Sequence, residues 1–290
     1  MNIEKKKIHF NIANETIIGH LYIPQGGKQP YPAAVVVGPM TSVKEQVAGY
    51  YAQKAAMKGL VTLAIDHRHY GESSGEPRQY EYYKHKIDDV VEAVNFLAHQ
   101  EEVDTENIGL IGVCLGCGYA SWASIKTEKV NWLKLVVGYY RSPKTMKLNS
   151  PQDYEGKIDQ GVKARIAYEE KQETIMIPAA ALEGDAAMSS SNLVDYYGNR
   201  AKVDNYINAF AVMSREHFVP FDVQEAAPQL NVPVVMIHSK QALSPTLAQE
   251  YFDKIRSPKQ MHWLEGKSQD DFYDNPDLVD AALTVQMEKT

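Results

Sequence analysis

Apolar and polar residues alternate along the first part of the chain, break once, and alternate again. KIHFNI (7–12) and TIIGHLYIP (16–24) therefore read as an antiparallel pair of strands with its turn near Asn14-Glu15. The period then changes. AAVVVG (33–38), LVTLAID (60–66), NIGLIGVC (107–114) and LKLVVGYY (133–140) are short apolar runs without alternation, which suits strands buried on both faces. Between them lie helical patterns. One covers Thr41 to Lys58 and stops at Gly59, a residue suited to a helix C-terminus. A second, 83–99, repeats Ile87, Val90, Val91, Val94 and Leu97 at helical spacing, and a third runs from Tyr119 onward. Strands alternating with helices in this rhythm predict an α/β fold, with a mostly parallel sheet and helices on both faces.

The rhythm fails at residue 141. Residues 141–228 are rich in polar and aromatic side chains and hold no strand as apolar as those before. It resumes with VPVVMIHS (232–239), a helix near 245–256, KQMHWLEG (259–266) and a last helix near 277–288. The expected organisation is a core of residues 1–140 and 229–290, with 141–228 inserted as a cap or lid over the ligand-binding edge of the sheet.

Composition narrows the function. In 290 residues the apolar fraction is 44%, the charged fraction 23% and the net charge −7, so neither a basic nucleic-acid surface nor a membrane span is expected. The opening MNIEKKKIHFNI lacks the apolar stretch of an export signal, which points to the cytoplasm. No glycine-rich phosphate loop or dinucleotide fingerprint follows the first strand, and no histidine pair has metal-ligand spacing on one helix face, so no cofactor and no metal are expected. The expected partner is a small-molecule substrate, and a homodimer stays open. The two cysteines, Cys114 and Cys117, are too close along one helical turn for a good disulfide. A redox CxxC pair is the lesser reading of them.

The stronger reading comes from Gly112-Val113-Cys114-Leu115-Gly116, which follows a strand and opens a helix. The glycines leave room for a sharp turn, and the helix N-terminus below the thiol favours negative charge. This is the nucleophile-elbow pattern with cysteine in place of serine. Here the chain resembles the α/β-hydrolase superfamily, and GVCLGCG resembles the elbow of dienelactone hydrolases. VGPMTSVKEQ, DHRHYGESSGEPR and the late DFYD add to the likeness, which covers roughly 1–140 and 229–290. The resemblance implies an α/β-hydrolase fold with Cys114 as nucleophile. It places an oxyanion hole at the N–H groups of Met40 and Leu115, since Pro39 has none to give. It makes Asp66–Ser73 a structural turn, with Arg68 tying loops together.

The likeness departs where a triad needs its acid and base. The acid position falls in Ser239-Lys240-Gln241-Ala242-Leu243, without a carboxylate, and Gln269 stands where the histidine belongs. The substitutes are Glu45, which follows the oxyanion turn, and His238, at the end of a core strand. His217, His67 and His69 are more distant candidates, and Asp270 and Asp271 are acids without a histidine to orient. Tyr139, Tyr140, Tyr196, Tyr197, Tyr206 and Phe210 are candidates to line an apolar pocket. The resulting expectation is a cysteine-dependent hydrolase or acyl-transfer enzyme for a small ester, lactone or thioester, its thiol facing an open cavity. The alternative is a lyase, a cyclase or a ligand-binding protein that kept the fold and lost the triad.

Overall fold

The computed structural model describes residues 1–265 and 268–286. The alternating segments form β1 (Asn2–Ile12) and β2 (Glu15–Gln25), paired antiparallel about a turn in which Ala13 has φ of 51°. The four unbroken apolar runs form β3 (Tyr31–Val37), β4 (Val61–Ile65), β5 (Val103–Val113) and β6 (Trp132–Val136). β4 is buried at every position, as expected of a strand covered on both faces. Helices α1 (Val47–Met57), α2 (Tyr83–Ala98) and α3 (Gly116–Lys126) alternate with them. On α2 the side turned inward carries Ile87, Val90, Val94 and Leu97, while Val91 is only partly buried.

Beyond β6 come α4 (Pro143–Asn149), α5 (Pro151–Lys171), the short β7 (Met176–Ile177), α6 (Ser191–Asp195) and a π-helical turn over Tyr196–Arg200. β8 (Phe210–Ala211) pairs antiparallel with β7, and α7 (Arg215–Phe218) follows. The core pattern then returns as β9 (Val234–His238), α8 (Pro245–Lys254), β10 (Lys259–Trp263), α9 (Asp271–Asp274) and α10 (Pro276–Thr284). Of the expected final strand and helix, residues 266, 287 and 288 lie outside the described residues.

Eight strands make one sheet in the order β1-β2-β4-β3-β5-β6-β9-β10, parallel from β4 through β10. α1 packs with α10, and α2 packs with α3, so helices cover both faces. One apolar cluster runs through the sheet and takes in Tyr196, Tyr197, Phe210 and Phe221 from the segment between β6 and β9. Among the described residues no helix is long and apolar enough to cross a membrane.

One expected element is displaced. The first helix begins at Val47 rather than Thr41, because residues 41–46 are held in turns by side chains distant in sequence. The Glu81 carboxylate accepts from the Thr41 N–H at 3.0 Å, and Asp66 accepts from the Lys44 N–H at 2.8 Å. Six residues thereby stay out of the helix at the C-terminal edge of the sheet, where ligands bind in parallel α/β proteins.

Candidate active site

Cys114 joins β5 to α3 at φ of 56°, in the left-handed region that residues with a side chain rarely occupy. Its N–H donates to the Val136 carbonyl at 3.1 Å, and its own carbonyl accepts from Tyr139 and Cys117 at 3.1 Å each. Both flanking glycines are required by contact. A Cβ at Gly116 would stand 2.1 Å from the Val37 carbonyl oxygen, and one at Gly112 would stand 2.7 Å from the Cys117 Cα. Two more residues share the unusual backbone, Thr41 in the turn after β3 at φ of 60° and Val137 just after β6 at φ of 40°. Both are β-branched, so each holds strain on the order of 1–3 kcal/mol that the surrounding packing must offset. Such outliers gather where a site is held in a fixed shape.

Three groups act on the Cys114 sulfur by hydrogen bonding: the Tyr273 hydroxyl, the Leu115 N–H and the Gln269 side chain. Burial outweighs them and pushes the thiol above its usual range. Burial pushes the Tyr273 phenol well up too, so both groups are neutral at pH 7. Gln269 is pinned at both ends. Its Nε2 donates to the Val137 carbonyl at 2.6 Å, and its Oε1 accepts from the Leu243 N–H at 3.1 Å. Leu243 belongs to the Ser239–Leu243 stretch that aligns with the triad acid, so a backbone N–H stands in that place. Among the described residues the groups that act on the thiol are a phenol, a backbone N–H and an amide, with no histidine or carboxylate.

The thiol does not face an open cavity: Cys114 is 6% exposed. A cavity of about 400 Å³ lies nearby, lined by Tyr197, Tyr206, Gly198, Lys202, Asp204 and Asn208 among others. Tyr197 is common to cavity and thiol. It stacks on Tyr206 at 5.0 Å, its hydroxyl lies 3.5 Å from the Met40 carbonyl oxygen, and it is within electrostatic reach of Cys114. Two of the six expected pocket aromatics therefore line this cavity. Tyr140 instead stacks on Tyr251, and Tyr196 packs edge-on against Tyr273.

The sequence-derived candidates separate. Leu115 directs its N–H at the sulfur, and Met40 is buried on the adjoining loop. Among the described residues neither N–H donates to a backbone carbonyl. Glu45 is held by other groups. It pairs with Lys44 at 2.7 Å and accepts from Asn205 at 3.0 Å, because the buried Lys44 ammonium also gathers Asp66 and Glu72 at 2.7 Å each. His238 is turned away. Its ring nitrogens face the Ser239 carbonyl at 2.9 Å and the Gly138 carbonyl at 3.3 Å, and burial lowers its pKa.

The remaining candidates have structural partners. His67 faces Asp89, His69 faces His85 at 2.8 Å, and His217 packs on Tyr82. Asp270 takes Arg200 and the Ser268 hydroxyl, and Asp271 accepts from the Ser268 N–H. Arg68 ties the Asp66–Ser73 turn to Asp89 at 2.6 Å. Cys114 and Cys117 are both free, with Cys117 directed at the Gly112 carbonyl at 3.2 Å. Among the described residues no group of three or more His, Cys, Asp or Glu is placed to hold a metal ion.

The family model for "Dienelactone hydrolase family" matches residues 17–172, more than half of the chain. The chain belongs to the dienelactone hydrolase family. Within curated proteins it is 30% identical over 270 residues to the uncharacterized protein YcjY of Escherichia coli, covering 88% of this chain and 86% of that one. It is 37% identical over 112 residues to the thiohydrolase aneE of Aspergillus aculeatus, covering 39% of this chain and 34% of that one. The crystal structure of the hypothetical protein PA2218 from Pseudomonas aeruginosa superposes with a TM-score of 0.82 at 28% identity, over 95% of this chain and 89% of that one. The fold is therefore that of the α/β-hydrolases, as the elbow implied.

Two groups at this family site escaped the sequence reading. Tyr273 lies inside the DFYD stretch, which in the sequence carries only the family likeness. Glu81 is buried, accepts from Thr41 and from Tyr70 and Tyr119 at 2.6 Å each, and forms an ion pair with Lys86 at 2.9 Å. It thereby binds the Met40-Thr41 loop to α3. No local pattern marks either residue, since the partners that place them at the site, Thr41 and Tyr119 for Glu81 and Cys114 for Tyr273, are remote in sequence.

Proposed function

We propose that this dienelactone hydrolase family member is an acyl-transfer enzyme that works through Cys114 and uses water poorly as the final acceptor. One observation carries the reading: Gln269 occupies the place beside the sulfur where a base is needed, and an amide cannot take a proton at neutral pH. Exchange between a thioester and a thiol needs no net base. The Cys114 sulfur bonds to the acyl carbon, the carbon–sulfur bond of the donor breaks, and the thiol proton ends on the departing sulfur. In this reading the Leu115 and Met40 N–H groups hold the oxyanion of the tetrahedral intermediate; the Leu115 N–H acting on the sulfur supports it. Release then needs an acceptor more nucleophilic than water, a thiol or an amine.

The substrate class is a small ester, lactone or thioester, with thioesters favoured because a thiolate leaves readily. The thiohydrolase relative agrees with that choice. The substrate occupies the cavity beside Tyr197 in the segment over the sheet edge, which acts as the cap, and displacement of the Tyr197 ring brings it to the sulfur.

The enclosed, neutral thiol also favours a second reading, a ligand-binding protein that keeps the hydrolase fold. One experiment separates the two. The protein and its Cys114→Ala variant are incubated with an acyl thioester, with and without an excess of a small thiol acceptor. Acyl transfer predicts Cys114-dependent product that rises with acceptor and little free acid without it. Product that is independent of Cys114, or no turnover at all, removes the proposal and leaves binding.

A further inference from the structure

Six lysine and arginine side chains are buried among the described residues, and five have evident partners. Lys44 has three carboxylates, Lys86 has Glu81, Arg68 has Asp89 and Arg215 has Asp185. Lys134 donates to the Leu283 and Val285 carbonyls at 2.6 and 2.7 Å, at the end of α10. Arg141 is the exception. It is 2% exposed and forms no ion pair among the described residues.

The Arg141 Nη2 donates to the Val219 carbonyl at 3.0 Å and to the Met146 sulfur, a weak acceptor, at 3.2 Å. Nε and Nη1 are buried without any acceptor. The guanidinium carbon lies 4.1 Å from the centre of the Phe218 ring and 6.0 Å from that of Tyr139. Asp222 acts on it electrostatically without forming an ion pair. A cation taken out of water without a counter-charge is costly, and aromatic faces offset only part of that cost.

Its cover is a thin one. α4 has no buried residue, leaves Leu148 73% exposed, and carries Lys144 and Lys147. Arg141 also lies on the same sheet edge as the thiol. Tyr119 is within electrostatic reach of both Arg141 and Cys114, and the Tyr139 N–H donates to the Cys114 carbonyl.

We infer that Arg141 is a receptor for an anionic group, a carboxylate or a phosphate, whose oxygen replaces the Met146 sulfur at the guanidinium when α4 lifts. Calling the bound molecule a substrate rests on the acyl-transfer reading; the anion site does not. In that reading the anion is either a carboxylate on the acyl part or a phosphate on the thiol carrier. Arginine suits either, because its planar donors match both oxyanion geometries.

The test is thermal unfolding of the full chain carrying Cys114→Ala, titrated with glutarate and, separately, inorganic phosphate at constant ionic strength, with glutaramide as the neutral control. A saturable rise in Tm is expected with at least one anion and none with glutaramide. Response to glutarate identifies an acyl carboxylate, and response to phosphate identifies the carrier. Arg141→Gln should lose the response. Met146→Glu places a carboxylate where the sulfur sits, so it should raise Tm by itself and abolish the response. A Tm insensitive to both anions overturns the inference, as does an undiminished response in Arg141→Gln or Met146→Glu. If Cys114→Ala responds but transfer activity is absent from the unmodified protein, the anion site stands and the acyl-transfer reading falls.

Discussion

Replacing Gln269 by histidine should not restore a hydrolase, although the family pattern invites that expectation. Gln269 meets two fixed demands: the Leu243 N–H needs an acceptor, and the Val137 carbonyl needs a donor. A neutral imidazole has one acceptor nitrogen and one N–H. Matched to Leu243 and Val137, it keeps no lone pair for the thiol, and its tautomer is wrong for a base. Gln269→His should therefore raise hydrolysis of an acyl thioester by less than about tenfold, against the ~10²–10⁴ of a working general base. Gln269→Glu should behave differently. One carboxylate oxygen still accepts from Leu243, and the other is free to take the thiol proton. Hydrolysis should rise by roughly 10² or more. The Val137 carbonyl would lose its donor, at about 1–3 kcal/mol. For a chain of this size that is a fall in Tm of roughly 2–10 °C. Free-acid release followed by mass spectrometry, with a thermal scan of each variant, reads both effects. A hundredfold gain in Gln269→His with none in Gln269→Glu would refute the reasoning.

Other outcomes follow from the same groups. Tyr273→Phe removes a hydrogen bond that favours the thiolate, so the pH midpoint for alkylation of Cys114 should move up. Glu81→Gln leaves the buried Lys86 without a counter-charge and should cost about 3–5 kcal/mol in denaturant unfolding. Stability should also fall on both sides of neutrality. His20 and His69 are lowered from 6.5 to about 4, so their contribution is present above pH 6.5 and is lost as pH falls toward 4. Cys114, Cys117, Tyr70, Tyr119 and Tyr273 are raised, so theirs is present below their ordinary values of 9.0 to 10.0 and is lost as pH climbs past them. Chemical denaturation from pH 4 to 11 should show a plateau near 7–9; a steady rise to pH 11 would contradict the burial argument.

The sheet was legible because its central strands are buried on both faces, which leaves runs such as Val61–Ile65 without polar interruption. The elbow was legible because Gly112 and Gly116 are demanded by contacts within a few ångströms. What could not be read was decided by partners far along the chain. Thr41–Gln46 has a helical pattern, yet Glu81 and Asp66 hold it in turns. Glu45 lies near the site in sequence, yet the Lys44 ammonium claims it. α5 passed unseen because it buries only Gly161 and Ala164, which leaves almost no apolar stripe. The enclosure of the thiol has no sequence signal, since Tyr197 and Tyr273 approach it from separate elements.

The central claim is that Cys114 accepts an acyl group and that the protein then lacks the means to hand it to water. It is tested most directly by mixing the protein with a slight excess of an acyl thioester and following intact mass against time, with peptide mapping of the adduct. A single acyl addition on Cys114 is predicted, persisting in buffer and discharged when a small thiol is added. An adduct on another residue, or loss of the Cys114 adduct to water as quickly as to the thiol, would contradict the account.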